Sequence, residues 1–171
     1  NHLEVLKLND TPITDDGLKH ISGMFNLSQL ILPRSVTDKG LVHIEKLSGL
    51  KRLTILGRDV TGEGLASLQS LSALEELSLD GTQTDDIGLR HLARLGSLRR
   101  LSCRRTRISD DGLVHLNRLS LLQTLRLGYN PLTDAGLSHL AGLLSLRRLS
   151  LVRTRITGAD LAPLERLSRL E

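Results

Sequence analysis

Aromatic residues are nearly missing from this chain of 171 residues, which contains one Phe, one Tyr and no Trp. A hydrophobic core must therefore be built from aliphatic side chains, among which leucine dominates. The single cysteine, Cys103, can form neither an internal disulfide nor a zinc site by itself, which excludes a disulfide-stapled secreted module. Apolar runs stay below the roughly 18 residues that cross a bilayer, and no signal-peptide series is visible. We expect no membrane partner, and the compartment stays open with the cytoplasm slightly favoured.

Catalytic and nucleotide-binding motifs are missing as well. The sequence has no GxSxG segment, no phosphate loop, no GxGxxG and no HExxH. The GxG at Gly62 and Gly64 is a single weak match. We therefore expect a protein that is not an enzyme and that has neither a cofactor nor a metal site.

What the chain has in abundance is an internal repeat. Each unit follows the pattern LxxLxLxx(T/N)x(I/L/V)(T/S)DxGLxxLxxL, and the spacing is 24 residues except in one unit of 23 that lacks a loop residue near Val36. We predict a single domain over residues 1–171, and we expect it to be a fragment of a longer protein because no solenoid caps are visible. Its seven repeats and the start of an eighth begin at Leu3, Leu27, Leu50, Leu74, Leu98, Leu122, Leu146 and Leu170.

Each unit predicts a strand, a turn and a short helix. The last two leucines of LxxLxL are two residues apart, so they lie on one face of a strand. A hydroxyl residue followed by aspartate, such as Thr37 with Asp38, is typical of a helix N-terminus. The GLxxLxxL segment gives one narrow apolar stripe on a short helix.

One unit cannot fold alone. About seven apolar side chains at roughly 1.5–3 kcal/mol each contribute on the order of 10–20 kcal/mol. Ordering about 24 residues costs roughly 1–2 kcal/mol per residue, and the sum of these costs exceeds the free energy gained from burial. Neighbouring units must therefore stack and share their burial, with a parallel sheet on one side and helices on the other.

The pattern resembles the leucine-rich repeat family, and its ITDxGL segment resembles the subclass of ribonuclease-inhibitor-like, F-box-associated and many bacterial repeat proteins. The resemblance covers essentially the whole chain. It implies an α/β solenoid, a right-handed β-α superhelix in a horseshoe arc, with the parallel sheet on the concave face and short helices on the convex face. The cysteines that name one branch of the subclass are missing, which favours a bacterial branch; their ladder position holds Thr11, Arg58, Thr82, Thr106, Asn130 and Thr154.

Two columns of polar residues recur along the helices. One column consists of histidines: His20, His43, His91, His115 and His139. Neighbouring helices lie about 8–10 Å apart, whereas the nitrogens that bind one zinc ion must each lie about 2.1 Å from it. We therefore interpret these histidines as structural. Helix capping explains the aspartates better than catalysis or calcium binding, because Gly62 and Gly158 replace two of them. These aspartates are Asp15, Asp38, Asp86, Asp110 and Asp134. Cys103 falls at an inward strand position and is expected to be a core residue.

The outward strand positions form the candidate binding surface, because core packing does not dictate their identity. Residues 1–85 contain 8 basic and 12 acidic residues, whereas residues 86–171 contain 15 and 7, so the two parts carry −4 and +8. Adjacent strands lie about 4.8 Å apart, so three acidic residues should each face an arginine one repeat later: Glu75 with Arg99, Glu76 with Arg100, and Asp80 with Arg104. Arg52 should flank Glu76 on its other side. The arginines left unpaired and the one tyrosine form the predicted patch: Arg105, Arg126, Tyr129, Arg147, Arg148 and Arg153.

These observations predict a protein–protein interaction scaffold whose concave face, mainly in its last three full units, binds an acidic protein surface. Three alternatives stay open. As the resemblance permits, the repeats could recognise substrates for a larger ubiquitin-ligase-type or effector protein. Nucleic acid is a weaker alternative, because the patch has no interleaved stacking aromatics. The patch could also be solvated surface that reflects an arginine-rich genome composition. The oligomeric state is not decided by the sequence.

Overall fold

A seven-stranded parallel sheet runs through residues 2–171, the part of the chain that the computed structural model describes. Its strands follow one another in chain order, one in each repeat: β1 (Val5–Lys7), β2 (Gln29–Leu32), β3 (Arg52–Ile55), β4 (Glu76–Ser78), β5 (Arg100–Ser102), β6 (Thr124–Arg126) and β7 (Arg148–Ser150). Equivalent residues pair across strands, as Leu77 does with Leu53 and Leu101. The predicted leucine-rich repeat solenoid is therefore confirmed, although residue 1 of the predicted domain lies outside the described residues.

Short helices return the chain from one strand to the next. Within residues 2–171 these are α1 (Asp15–Leu18), α2 (Asp38–Leu41), α3 (Asp86–Leu92), α4 (Leu137–Leu140) and α5 (Ala162–Glu165). The remaining turns are 3₁₀ helices at Lys19–Ile21, Val42–Ile44, Glu63–Leu68, Asp111–Arg118 and Asp134–Gly136. The sequence did not predict this mixture. Its physical basis is the spacing of the GLxxLxxL stripe, because leucines three residues apart align on one face of a helix with three residues per turn.

The interior is a continuous column of aliphatic side chains. The pattern leucines of the central units are buried, from Leu27 at the start of the second unit to Leu146 at the start of the seventh. Cys103 is fully buried among them, and burial raises the pKa of its thiol, as expected for an inert core residue. Leu6 and Leu149, which lie in the first and last strands, are only partly buried. Burial therefore depends on having a neighbouring unit on both sides.

The aspartate column links neighbouring repeats, and the capping interpretation of it was incomplete. Asp110 accepts a hydrogen bond from the backbone N–H of Thr133 at 3.0 Å and another from its hydroxyl at 2.5 Å. The same pair of bonds joins Asp15 to Thr37, Asp38 to Thr61, Asp86 to Ser109, and Asp134 to Thr157. The hydroxyls of Thr37 and Thr133 do accept from helix N–H groups as predicted. A carboxylate has two acceptor oxygens, so it satisfies the N–H and O–H of the next unit together.

The third unit lacks this clamp, and its sequence shows why. Gly62 takes the place of the aspartate, and Asp85 takes the place of the Thr or Ser in the next unit. Asp85 instead accepts a hydrogen bond from the backbone N–H of Gly88 at 3.3 Å and so caps α3. A Cβ on Gly62 would lie 2.7 Å from the backbone nitrogen of Gly88. The Asp85 carboxylate and the Gly88 backbone therefore occupy the space that a side chain at position 62 would need, which leaves no room for a second carboxylate.

The clamp formed by Asp134 makes stability depend on acidity. Hydrogen bonds from the Thr157 hydroxyl and from the backbone N–H groups of Gly158 and Thr157 lower the pKa of Asp134 from its ordinary value of 3.8. A lowered folded-state pKa contributes stability that is present above pH 3.8 and is lost as the pH falls through the folded value. We expect Asp134→Asn to lower the melting temperature at pH 6 and to have little effect near pH 2. Melting curves recorded by circular dichroism measure this difference, and an equal loss at both pH values would contradict it.

Candidate functional site

The outward side chains of the sheet line a shallow depression of about 260 Å³. Arginines from four different strands reach it: Arg52, Arg100, Arg126 and Arg148. Their positions alternate with the inward-facing leucines of the same strands, which are buried in β3, β5 and β6 and partly buried in β7, so the strand geometry alone directs the arginines away from the core. This surface is called the concave face below.

Two of the predicted charge pairs form across neighbouring strands. A nitrogen of Arg100 lies 2.6 Å from a carboxylate oxygen of Glu76, and this contact raises the pKa of Arg100. Arg104 Nε donates to Asp80 at 3.0 Å, and the Arg104 backbone N–H binds the same carboxylate at 2.8 Å. Arg52 lies opposite Glu76 in register, as predicted. By contrast, no side-chain ion pair joins Glu75 and Arg99 in residues 2–171.

The predicted patch of unpaired arginines needs a correction at two positions. Arg147 and Arg148 both approach the carboxylate of Glu171, at 3.6 and 3.5 Å. These side chains are more than half exposed, so each pair contributes at most about 1 kcal/mol. Arg126 has no acidic partner within residues 2–171 and is exposed on β6, between Ser102 and Ser150. Arg126 therefore presents a free guanidinium on the concave face, one strand before the last of the sheet.

Three residues of the predicted patch share an uncommon backbone conformation just beyond the strands. Arg105, Tyr129 and Arg153 stand at the same position of consecutive repeats with φ values of 53°, 63° and 58°. This left-handed region costs a residue with a side chain roughly 1–2 kcal/mol, and Gly81 fills the same position in the fourth unit. The backbone needs this shape to keep its lateral hydrogen bonds, such as Tyr129 N–H to Val152 O at 2.8 Å. This row of positions is called the rim.

Arg105 and Tyr129 contact each other on the rim. The guanidinium carbon of Arg105 lies 4.6 Å from the centre of the Tyr129 ring, within the range of a cation–π interaction. Both residues are exposed. The contact places the guanidinium over the ring and leaves its N–H groups without a hydrogen-bond partner in residues 2–171. Beyond the 24-residue spacing, nothing in the sequence indicates it.

The histidine column lies on the helix side of the molecule. Within it, His91 Nδ1 is 2.6 Å from the side-chain nitrogen of Gln69, and His91 Nε2 is 3.8 Å from a carboxylate oxygen of Glu63. In the described part of the chain, no three His, Cys, Asp or Glu residues are grouped closely enough to hold a metal ion. None of the helices in residues 2–171 combines the length and the apolar character needed to span a membrane.

Sequence reasoning missed two arginines of the site because it concentrated on the basic second part of the chain. Arg34 and Arg58 come from the second and third units, and they line a groove at the rim together with Arg104, Arg105 and Tyr129. The net charge of a segment averages over both faces, so it does not show which arginines a sheet brings to the same edge. The alignment of units across the strands would have found them.

Comparisons with known proteins agree with this architecture. The family model described as Leucine Rich repeat matches residues 1–22 and 118–141. A crystal structure of internalin C2 from Listeria monocytogenes is similar with a TM-score of 0.84 and 33% identity, over 99% of this chain and 70% of that chain. Structures of a TLR13–ssRNA13 complex and of the plant peptide hormone receptor RGFR1 with RGF2 share the fold. The TLR13 structure has a TM-score of 0.69 and 22% identity, over 98% of this chain and 24% of that chain. The RGFR1 structure has a TM-score of 0.66 and 18% identity, over 99% of this chain and 31% of that chain. No curated protein matches in sequence.

Proposed function

Because the chain belongs to the leucine-rich repeat family, we propose that it is a non-catalytic interaction module that binds an acidic protein surface through its concave face. Arg126 is the observation that carries this proposal. Its guanidinium is exposed on β6, it lines the depression of the concave face, it has no acidic partner in residues 2–171, and the core does not require it. Arginine binds carboxylates through two parallel hydrogen bonds, so an acidic partner supplies what the surface lacks.

Arg148 extends the same surface to the next strand. It pairs with Thr124 in register, one strand away from Arg126, and its side chain is 72% exposed despite the contact with Glu171. Exposed pairs of this kind are weak, so a partner carboxylate can displace Glu171 at little cost. The two guanidiniums together provide a site for neighbouring carboxylates on a partner.

The concave face favours protein over nucleic acid. Tyr129 is the chain's only tyrosine, and Arg105 already covers one face of its ring. Proteins that bind single strands use several aromatic side chains as stacking platforms, and this surface offers none in series. Substrate recognition for a larger effector or ubiquitin-ligase-type protein would use the same face, so it is a special case of the proposal. Membership of the ribonuclease-inhibitor-like subclass and a bacterial source stay predictions.

A charge-reversal experiment tests the proposal. The probe is a fluorescent peptide of alternating Glu and Ala, and its dissociation constant is measured by fluorescence anisotropy at several salt concentrations. We expect Arg126→Glu with Arg148→Glu to weaken binding at least about tenfold, because charge-assisted hydrogen bonds are lost and repulsion replaces them. Arg90→Glu with Arg94→Glu, at exposed positions in and just after α3, is the matched control because it changes the net charge equally.

The outcomes separate the hypotheses. Equal weakening by both double variants would show attraction to net charge and not to the concave face, which contradicts the proposal. Absence of any binding to the acidic peptide would contradict it as well. Tight binding of a single-stranded oligonucleotide that falls steeply with salt, and that the Arg126 and Arg148 reversals abolish, would favour the nucleic-acid alternative.

A further inference from the structure

A groove of about 590 Å³ lies at the rim, beside the concave face. It is called the rim trough, and the residues that line it are Arg34, Leu56, Arg58, Asp80, Gly81, Arg104, Arg105 and Tyr129. They come from five successive repeats, so the trough crosses the ends of the strands and does not follow any one of them.

The floor of the trough is open at Gly81, which is exposed and occupies the rim position of the fourth unit; a Cβ on Gly81 would meet no atom within 4 Å. Gly57 occupies the same position in the third unit but is buried, and a Cβ on it would overlap the carbonyl oxygen of Val36. The repeats on either side place large residues at this position, with Arg34 before the glycines and Arg105 after them. The result is an open floor between two basic walls.

The charges in the trough are not balanced. Asp80 is its one carboxylate, and both of its oxygens are occupied by bonds from Ser102 and from the backbone and side chain of Arg104. Within residues 2–171, Arg34 and Arg58 have no acidic partner, and Arg105 contacts only the ring of Tyr129 through its side chain. Three guanidiniums therefore face the trough without a counter-charge.

The stability of the fold does not account for these side chains. Arg105 and Tyr129 hold left-handed backbone conformations that a glycine would adopt with less strain, as Gly81 does in the same row. Asp10 and Arg153 hold the same conformation outside the trough, so the repeat sets the backbone shape and does not decide which side chain stands there. The stacking of Arg105 on Tyr129 also orders the guanidinium before any ligand arrives, which reduces the entropy lost on binding.

We propose that the rim trough binds an extended acidic segment of the protein partner, with one carboxylate at each end of about five residues. The distance from Arg58 or Arg34 to Arg105 spans two or three strand spacings, which is roughly 10–14 Å. An extended chain advances roughly 3.3 Å per residue, so about four or five residues cover it. One carboxylate binds Arg34 and Arg58, the other binds the free edge of Arg105, and small residues between them pass over Gly81. This inference rests on the proposed function and names the partner's recognised segment.

Two peptides of identical composition test the spacing. Ac-Glu-Ala-Gly-Ala-Glu-NH₂ carries its carboxylates at the ends, and Ac-Glu-Glu-Ala-Gly-Ala-NH₂ carries them side by side. Their dissociation constants are measured by titration followed in ¹H–¹⁵N NMR spectra. We expect the spaced peptide to bind several-fold more tightly, because only it reaches both basic walls.

Variants of the protein test the site. We expect Arg58→Glu and Arg105→Glu each to weaken binding of the spaced peptide about tenfold, since each reversal removes one end of the site. Gly81→Asn fills the floor with a residue that tolerates left-handed backbone, so it should weaken binding while the protein stays folded. Gly96→Asn is its control, because Gly96 is exposed and a Cβ there meets no atom within 4 Å. Melting temperatures confirm that each variant is folded.

The results distinguish this inference from the proposed function. The trough variants could bind the spaced peptide as tightly as the wild type while the Arg126 and Arg148 reversals weaken the binding of acidic ligands. That result would contradict the rim-trough proposal and leave the proposal for the concave face intact. Equal affinity for the two peptides would contradict the proposed separation of the two carboxylates. If no acidic peptide binds, both proposals fail. If a phosphoserine peptide binds and the glutamate peptide does not, the ligand of the trough is a phosphate and not a carboxylate, which contradicts the inference.

Discussion

Replacing Leu101 by alanine is expected to lower the free energy of unfolding by about 2–5 kcal/mol, the usual cost of truncating a buried leucine. Leu101 is 1% exposed in β5 and lies between Leu77 and Leu125 of the adjoining strands. The surrounding repeats are held by their own backbone ladders, so they cannot collapse fully into the cavity. A loss of this size corresponds to a fall in melting temperature of roughly 5–20 °C for a chain of this length. Urea unfolding followed by circular dichroism measures it.

The same change at Leu6 is the matched comparison. Leu6 stands at the equivalent position of β1, but it is only partly buried and has a paired strand on one side. We expect Leu6→Ala to cost less than half as much as Leu101→Ala, because less apolar surface leaves water when Leu6 folds. Equal losses at the two positions would mean that burial is not shared between stacked repeats.

Replacing Gly112 by alanine is expected to destabilise the protein by about 3 kcal/mol although the substitution is small. The added Cβ would lie 2.7 Å from Cγ of Asp86, and it would overlap a carboxylate oxygen of the same residue. The carboxylate must move, which breaks its bonds to the N–H and hydroxyl of Ser109. Gly96→Ala, where nothing lies within 4 Å, should be neutral or slightly stabilising. Melting curves of the two alanine variants give the comparison.

A double-mutant cycle identifies the cause of that loss. If Gly112 is required because the Asp86 carboxylate packs on it, then Gly112→Ala should cost much less in a chain that already carries Asp86→Ala. Strictly additive losses would contradict the clamp between repeats and would point to local helix geometry instead.

The fold could be predicted from the sequence because the repeat places the same constraint at every unit. Leucines two residues apart require a strand face, and the 24-residue spacing requires the strands to align, so Leu77 had to pair with Leu53 and Leu101. The pairs of Glu76 with Arg100 and of Asp80 with Arg104 followed from the same register. These features depend on backbone periodicity alone.

Features that depend on side-chain reach could not be predicted in this way. The pattern places Asp110 at a helix start, but only the distance between repeats shows that its carboxylate reaches Thr133. The contact of Arg147 with Glu171 follows the 24-residue register and was overlooked, whereas the contact of Arg148 with the same carboxylate requires a side chain to reach across from the adjacent position. The left-handed backbone conformation of Tyr129 could not be predicted, because this conformation is usually inferred from a glycine in the sequence and neither arginine nor tyrosine indicates it.

The most direct test of the binding account is the map of amide shifts in ¹H–¹⁵N NMR spectra when the spaced acidic peptide is added. We expect the largest changes at Arg58, Gly81, Arg105 and Tyr129, which line or flank the rim trough, and none at Arg90 on α3. Changes confined to the helices, or none at saturating peptide, would contradict it.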